Sequence, residues 1–217
     1  MFVLGAAALS ACATTPSPHK AARSSATLAP STTTSTMTPG TTTSLPIFGA
    51  TPSSPTASFG IPAGPSCEAE NLTLTWGGYV SEATGQHSLG LELTNDSGTT
   101  CHLSGYPGIS FIDQAGKSLP FLYRHSDQMV TAGAPLNVNL PPGSIAYVLV
   151  NKYRCDLGDL QVAATLHFIP PNAASALSLN LSPIQGAPQV TYCGQGDPGS
   201  IVAVSPVEPT AEDTFVH

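Results

Sequence analysis

From Cys67 onward, apolar and polar residues alternate in short runs that turn residues separate. Leu72, Leu74 and Trp76 alternate with threonines in NLTLTW, and SLGLELTN repeats the alternation with three leucines. Such period-two runs predict strands that bury one face and expose the other. Five further runs are strand candidates: GISFID, PLNVNL, SIAYVLV, LQVAATLHF and ALSLNL. Because no segment shows a 3.6-residue stripe, the pattern predicts an all-β, antiparallel β-sandwich.

Turn residues between these runs support the same fold class. YPG at 106–108 and PPG at 141–143 place proline directly before glycine, as a type II turn requires. The final stretch, residues 206–217, is acidic and interrupted by proline, and we predict a flexible tail there. The sandwich domain is therefore predicted to span residues 67–205.

Residues 12–66 have a different composition, which is rich in threonine, serine and proline. A segment of this composition cannot bury enough apolar surface to offset the entropy of ordering it, so we predict a disordered linker. As a flexible coil it would reach roughly 40 Å. Residues 1–11 are apolar and end in small side chains, which is typical of a signal peptide.

Cys12 stands alone at the junction of these two segments. The tetrapeptide from Leu9 to Cys12, Leu-Ser-Ala-Cys, resembles the lipobox of bacterial lipoproteins at every position. That resemblance implies a diacylglyceryl thioether on Cys12, cleavage before it and acylation of the freed amine. No apolar run is long enough for a membrane-spanning helix. Since no Lys or Arg precedes Lys20, we expect the true translation start to lie upstream of Met1.

Charge excludes two classes of partner. Only 9% of the residues are charged, and the part after residue 66 holds thirteen carboxylates against four basic side chains. This balance gives no basic face for nucleic acid and no electrostatic attraction to anionic lipid head groups. We therefore expect membrane attachment through the lipid on Cys12, and no nucleic-acid partner.

Four cysteines remain for the domain: Cys67, Cys101, Cys155 and Cys193. In an exported protein they should be oxidised, and four cysteines allow three pairings. We favour Cys67–Cys101 with Cys155–Cys193, which closes two loops of about 35–39 residues. A zinc site would require ligands at closer spacing, so we predict neither a metal nor another cofactor.

One stretch carries a family resemblance. LELTNDSGTTCHLSGYPGISFIDQAG at 91–116 resembles the signature L-x-N-x-G-x-x-C-x-L-x-G-Y-P-G of a domain-of-unknown-function family. That family occurs in secreted proteins and lipoproteins of actinobacteria, mycobacteria included. VNLPPGSIAYVLV and the two later cysteines extend the match over about residues 67–205. The resemblance implies an immunoglobulin-like β-sandwich with two disulfides, and it implies no reaction.

Candidate catalytic motifs are weak. His125, Ser126 and Asp127 have the residue types of a hydrolase triad, but three consecutive residues cannot bring their functional atoms together in the required order. CGQGDPG at 193–199 follows no βα unit, which disfavours dinucleotide binding. Four histidines show no metal-ligand spacing: His87, His102, His125 and His167. The sequence therefore predicts no catalytic residue.

The functional hypothesis is a lipid-anchored envelope lipoprotein on the extracytoplasmic face of the cell membrane. Its sandwich is expected to be a monomeric, non-catalytic module that binds an envelope protein, glycan or lipid ligand. Binding through loops of such sandwiches is an analogy at the level of fold. The alternative hypothesis is an envelope hydrolase or metal-handling protein whose site is assembled only in the fold.

Overall fold

A computed structural model describes residues 54–79, 85–155, 160–181 and 189–216. The fold is all-β, as the alternating pattern predicts. Within the described ranges the strands are β1 (Ser58–Phe59), β2 (Leu72–Tyr79), β3 (Gln86–Asn95), β4 (Cys101–Ser104), β5 (Gly108–Asp113), β6 (Leu122–Arg124), β7 (Asn137–Leu140), β8 (Ile145–Tyr153), β9 (Gln161–Ile169), β10 (Leu177–Asn180), β11 (Thr191–Tyr192) and β12 (Ile201–Val204).

The largest sheet, sheet I, has the strand order β2-β3-β8-β12-β6. Its neighbours are antiparallel except for β6, which pairs with β12 in parallel. Leu91 and Leu93 on β3 and Val148 and Val150 on β8 point to the same side and are buried. The period-two alternation along β3 thus predicts which side chains enter the core.

Two smaller sheets complete the sandwich. In sheet II, β5, β10 and β11 all pair antiparallel with β9, and sheet III has the order β1-β7-β4. Phe111 and Phe168 from sheet II and Leu103 and Val138 from sheet III are fully buried. They belong to one apolar cluster with the core residues of sheet I. All three sheets therefore share a single core.

Sheet I is also covered on the face opposite this core, which we call its outer face. Leu149 and Ala203 point outward, where they pack with Val130 and Phe215. Val130 forms a bridge with Phe215, so two non-strand segments lie together on the sheet. Burial of both faces explains why β8 is almost continuously buried and alternates poorly.

The C-terminal segment differs from the flexible tail predicted for residues 206–217. Val207 is fully buried and Glu208 is only 7% exposed. Glu208 exchanges two backbone hydrogen bonds with Tyr147, at 2.8 and 2.9 Å. Sequence alternation could not reveal this packing, because apolar residues scattered between prolines have no period. This segment, residues 205–216, belongs to the folded unit.

The start of the folded unit also differs from the predicted boundary. Ala57 is buried in the core, and β1 pairs with β7, although both lie within the linker predicted for residues 12–66. Cys12, the predicted signal peptide and most of that predicted linker lie outside the described residues.

Two disulfides close the predicted loops. Cys67 bonds to Cys101, with 5.0 Å between the Cα atoms, and Cys155 bonds to Cys193, with 5.3 Å between them. The favoured pairing is confirmed. In the part of the chain that the structure describes, no helix has the length and apolarity needed to span a membrane.

Candidate functional site

The loop between β11 and β12, residues 193–200, has a backbone shape that depends on glycine. Gly194 and Gly196 have φ angles of 97° and 89°, in the region that side-chain-bearing residues rarely adopt. The loop begins at Cys193, whose disulfide attaches it to the chain just after β8. We call this segment the glycine loop.

Side-chain oxygens hold the glycine loop in place. Asp197 Oδ1 accepts a hydrogen bond from the Gly199 N–H at 2.7 Å, and so caps a short 3₁₀ turn. Ser200 Oγ donates to the Gly194 carbonyl at 2.6 Å and accepts from the Cys193 N–H at 3.1 Å. These internal bonds satisfy several backbone groups, so the loop is ordered before any ligand arrives.

Gly199 permits the close approach of the glycine loop to the end of β8. A Cβ atom built on Gly199 would lie 2.5 Å from Cys193 Sγ and 2.6 Å from the Arg154 carbonyl oxygen. Neither the disulfide nor the backbone can move away easily. A side chain at this position would therefore push the loop away from the sheet.

Beside the glycine loop lies a hollow of about 520 Å³, which we call the main hollow. Its walls come from the loop, from the start of β12 and from the segment that leads into β6. Leu122 on β6 is 56% exposed, whereas the aromatic rings below it are buried. The lining residues are Pro120, Phe121, Leu122, Tyr192, Gln195, Gly196, Asp197, Ser200 and Ile201.

Aromatic rings anchor the floor of the main hollow in the core. The rings of Phe111 and Phe121 meet edge to face with their centroids 5.3 Å apart. Phe121 and Tyr192 do the same at 5.3 Å and an interplanar angle of 85°. Edge-to-face pairs at this distance are favourable beyond the apolar area they bury. The floor is therefore rigid.

A second hollow, the side hollow, has a volume of about 280 Å³. Ile201 lines both hollows, and Pro198 in the side hollow directly follows Asp197 in the main hollow. The two hollows therefore adjoin, and together we call them the end groove. The residues that line the side hollow are Gln86, Asp127, Gln128, Tyr153, Pro198 and Ile201.

Asp127 links the side hollow to a buried polar network on the outer face of sheet I. Asn151, which is fully buried, donates through Nδ2 to Asp127 Oδ2 at 2.6 Å and to Gln86 Oε1 at 2.7 Å. Ser88 Oγ donates to Asn151 Oδ1 at 2.7 Å. The other carboxylate oxygen of Asp127 accepts hydrogen bonds from the backbone N–H groups of residues 129 and 130. This carboxylate therefore fixes the segment that covers the sheet.

His125, two residues before Asp127 in the chain, has different surroundings. The ring of His125 stacks on Tyr106, with 3.9 Å between the centroids and an angle of 9° between the planes. Burial, with a smaller contribution from the charge of Glu208, raises the pKa of Tyr106. His125 and Asp127 thus make contacts that organise the loop between β6 and β7.

Lys152 places a buried cation at the same end of sheet I. It is 3% exposed and pairs in register with Val202 of β12. Burial lowers the pKa of Lys152 to about 8, and the negative charge of Asp197 acts in the opposite direction. The ammonium donates to the Tyr153 carbonyl at 2.6 Å. The attraction between Lys152 and Asp197 further stabilises the glycine loop.

Histidine and carboxylate side chains form no metal centre in the described ranges, where no group of three or more His, Cys, Asp or Glu could hold an ion. His102 Nδ1 lies 3.1 Å from the Gly64 carbonyl oxygen. His167 lies within β9, opposite Ser110 and Ser178. The histidines that were tested for metal-ligand spacing thus lie in different parts of the sandwich.

No pattern in the sequence indicated the end groove. CGQGDPG was weighed above only for dinucleotide binding, which was disfavoured, although Gln195 and Asp197 within it line the main hollow. A signal was present, because glycines beside a cysteine and an Asp-Pro pair indicate a tightly folded loop. The contact of that loop with Phe121 and Leu122 is long-range, and no local pattern encodes it.

Comparison with known proteins gives one match. The sequence model of a protein family described as a domain of unknown function, DUF4232, matches residues 67–208. No curated protein and no solved structure matches the chain.

Proposed function

The chain belongs to the DUF4232 family of domains of unknown function, and we propose that it is a lipid-anchored envelope lipoprotein whose sandwich binds a ligand in the end groove. The mature protein begins at Cys12, which carries the lipid. The linker holds the domain away from the membrane on its extracytoplasmic face. The sandwich is a monomeric binding module in this proposal, and its ligand is another component of the envelope.

Support for the anchor comes from the sequence. Ser10 and Ala11 before Cys12 are small residues of the kind that a lipoprotein signal peptidase requires, and Cys12 provides the thiol that carries the lipid. Two or three acyl chains are enough for stable membrane attachment, at about 0.8 kcal/mol for each buried methylene group. The two disulfides of the domain agree with export to an oxidising compartment.

The observation that carries the binding proposal is the end groove itself. Its main hollow has a volume of about 520 Å³, within the roughly 300–1,000 Å³ typical of ligand sites. A disulfide, internal hydrogen bonds and packed rings fix its walls. A wall that is already ordered loses little conformational entropy when a ligand binds. Exposed Leu122 and Gln195 stand at its rim, where a ligand can reach them.

The alternative hypothesis, an envelope hydrolase or a metal-handling protein, lacks a comparable observation. Asp127 binds two backbone N–H groups and Asn151, so it is engaged in holding its own loop. His125 is stacked on Tyr106. These contacts explain both side chains without a reaction, and we retain the binding hypothesis.

The anchor is tested by mass spectrometry of the N-terminal peptide and by cell fractionation. We expect the mass of a diacylglyceryl group on Cys12, and we expect Cys12→Ala to release the protein into the medium. An unmodified Cys12 in protein that still fractionates with membranes would contradict the proposal.

Binding is tested by crosslinking in intact cells, with a photoreactive amino acid at position 195 of the full chain. The matched control carries the same amino acid at Gln114, an exposed position in the turn after β5. We expect a discrete crosslinked species from position 195 and none from position 114. Equal labelling from the two positions would refute a ligand in the end groove.

A further inference from the structure

We infer that the ligand of the end groove is a neutral glycan chain. This inference rests on the proposed binding function and adds the chemical class of the ligand. Three properties of the groove lead to it: the charge of its lining, the kind of hydrogen-bonding groups it offers and its apolar surfaces.

The charge of the lining disfavours an anionic ligand. Among the described residues that line the two hollows, two are carboxylates, Asp127 and Asp197, and none is Lys, Arg or His. Phosphate, sulfate and carboxylate groups are bound by arginine, lysine or free backbone N–H groups. Lys152, at the same end of sheet I, is buried and bonds to a backbone carbonyl. Arg154 is exposed beside Gly199, but its side chain does not line either hollow. A neutral ligand therefore fits this lining better than an acidic one.

The polar groups of the lining suit hydroxyl groups. Gln195 and Gln128 are exposed at the main and side hollows, respectively. Each primary amide offers both donors and an acceptor. A sugar hydroxyl is itself both a donor and an acceptor, so it can pair with either kind of group.

Apolar surfaces alternate with these polar groups. Leu122 is 56% exposed at the rim of the main hollow, and Tyr153 is half-buried in the wall of the side hollow. Sugar rings present C–H groups on their faces and hydroxyls at their edges. A wall that combines apolar surfaces with amides matches this amphipathic shape.

An extended peptide fits the groove less well, because peptides of this kind bind mainly through main-chain hydrogen bonds to free backbone groups. In the glycine loop, the N–H groups of Cys193, Gly199 and Ser200 already bond within the loop. Pro120 and Pro198, which also line the groove, have no N–H to offer. These three donors of the glycine loop are therefore not available to the main chain of a peptide.

The shape of the groove indicates a chain longer than one sugar unit. The hollows of about 520 and 280 Å³ share Ile201 in their linings. Both are open to solvent along lining residues such as Gln195 and Gln128. Two adjoining hollows that are both open to solvent give room for more than one sugar unit.

The experiment is affinity electrophoresis of the full chain in native gels cast with a soluble polysaccharide. Neutral galactan, mannan and glucan are compared with acidic polygalacturonate, and an array of extended peptides tests the other macromolecular class. We expect at least one neutral polysaccharide to slow migration, with no effect of polygalacturonate beyond that of an empty gel. A soluble oligosaccharide of the active polysaccharide should abolish the retardation.

Two pairs of variants test the position of the site. Leu122→Ser is compared with Leu160→Ser, since the two leucines are 56% and 57% exposed, and Leu160 does not line the groove. Gln195→Ala is compared with Gln114→Ala. We expect each groove variant to weaken binding about 3–10-fold, as the loss of one ligand contact does, and each control to leave it unchanged.

The possible outcomes test the glycan inference and the proposed binding function separately. Retardation by a neutral polysaccharide that only the groove variants weaken supports the inference. Retardation that neither groove variant changes overturns it, because the glycan then binds elsewhere. Binding to polygalacturonate or to peptides alone, together with a crosslink from position 195, overturns the glycan and preserves the binding function. Loss of both the retardation and the crosslink overturns the inference and the proposed function together.

Discussion

Glu208 should make the stability of the protein fall as pH rises above 5. Its side chain is 7% exposed, in the segment that covers the outer face of sheet I. Burial raises the pKa of Glu208 to about 7, and the negative charge of Asp213 adds to the increase. In the unfolded chain the carboxyl regains its ordinary pKa of 4.5. Between these two values the folded state binds more protons than the unfolded state.

The sign and size of the effect follow from this difference. Stability contributed by protonated Glu208 is complete below pH 4.5 and is lost as pH rises through about 7. Each pKa unit corresponds to about 1.4 kcal/mol, which sets a ceiling of about 3 kcal/mol. Because water that reaches the carboxyl screens part of the effect, we expect a loss of about 1–2 kcal/mol.

The assay is urea denaturation of the full chain at pH 5 and pH 8, for the wild type, Glu208→Gln and the control Glu212→Gln. Glu212 is exposed on the same segment. Glu208→Gln should unfold with nearly the wild-type free energy at pH 5 and should be about 1–2 kcal/mol more stable at pH 8. The control should follow the wild type at both values. Equal pH dependence in the wild type and Glu208→Gln would refute the argument.

Three further predictions concern stability. Serine at both cysteines of the Cys155–Cys193 disulfide should lower the free energy of unfolding by about 3–4 kcal/mol, as measured by urea denaturation; an unchanged midpoint would contradict a structural role. Gly199→Ala should lower the melting temperature strongly, because its Cβ would overlap the disulfide, whereas Gly98→Ala, which meets no atom within 4 Å, should leave it nearly unchanged. Asp127→Ala should cost about 1–3 kcal/mol by removing three hydrogen bonds, and Asp127→Asn should restore part of that loss.

Within the described ranges, the sequence runs predicted every strand of six or more residues and missed five short ones, β1, β4, β6, β11 and β12. Each of the seven predicted runs overlaps a strand, from NLTLTW in β2 to ALSLNL in β10. β12 was missed because Ile201–Val204 is apolar throughout, since the sheet is covered on both sides there. β6 was missed because its three residues are exposed, and only its pairing with β12 makes it a strand.

The candidate site was predictable in part only. Cysteine spacing indicated the disulfide that holds the glycine loop, and the glycines themselves indicated tight turns. The end groove, however, arises where residues near 121, 153 and 198 meet, far apart in the chain. Contacts of this kind depend on the order of strands in a sheet, which period and composition do not encode.

The position of β12 inside sheet I has a kinetic consequence. β6 pairs only with β12 within the sheet, and β12 follows it by about 80 residues in the chain. When the N-terminal part of the chain appears first, β2, β3 and β8 can pair with one another. The second edge of β8, however, stays unpaired until residues 201–204 are present. Pairings between such distant segments form slowly, because closing the loop costs entropy before any contact is gained. Folding is therefore expected to wait until residues 201–204 are available, and the unpaired edge of β8 is where an unfinished chain is most open to aggregation.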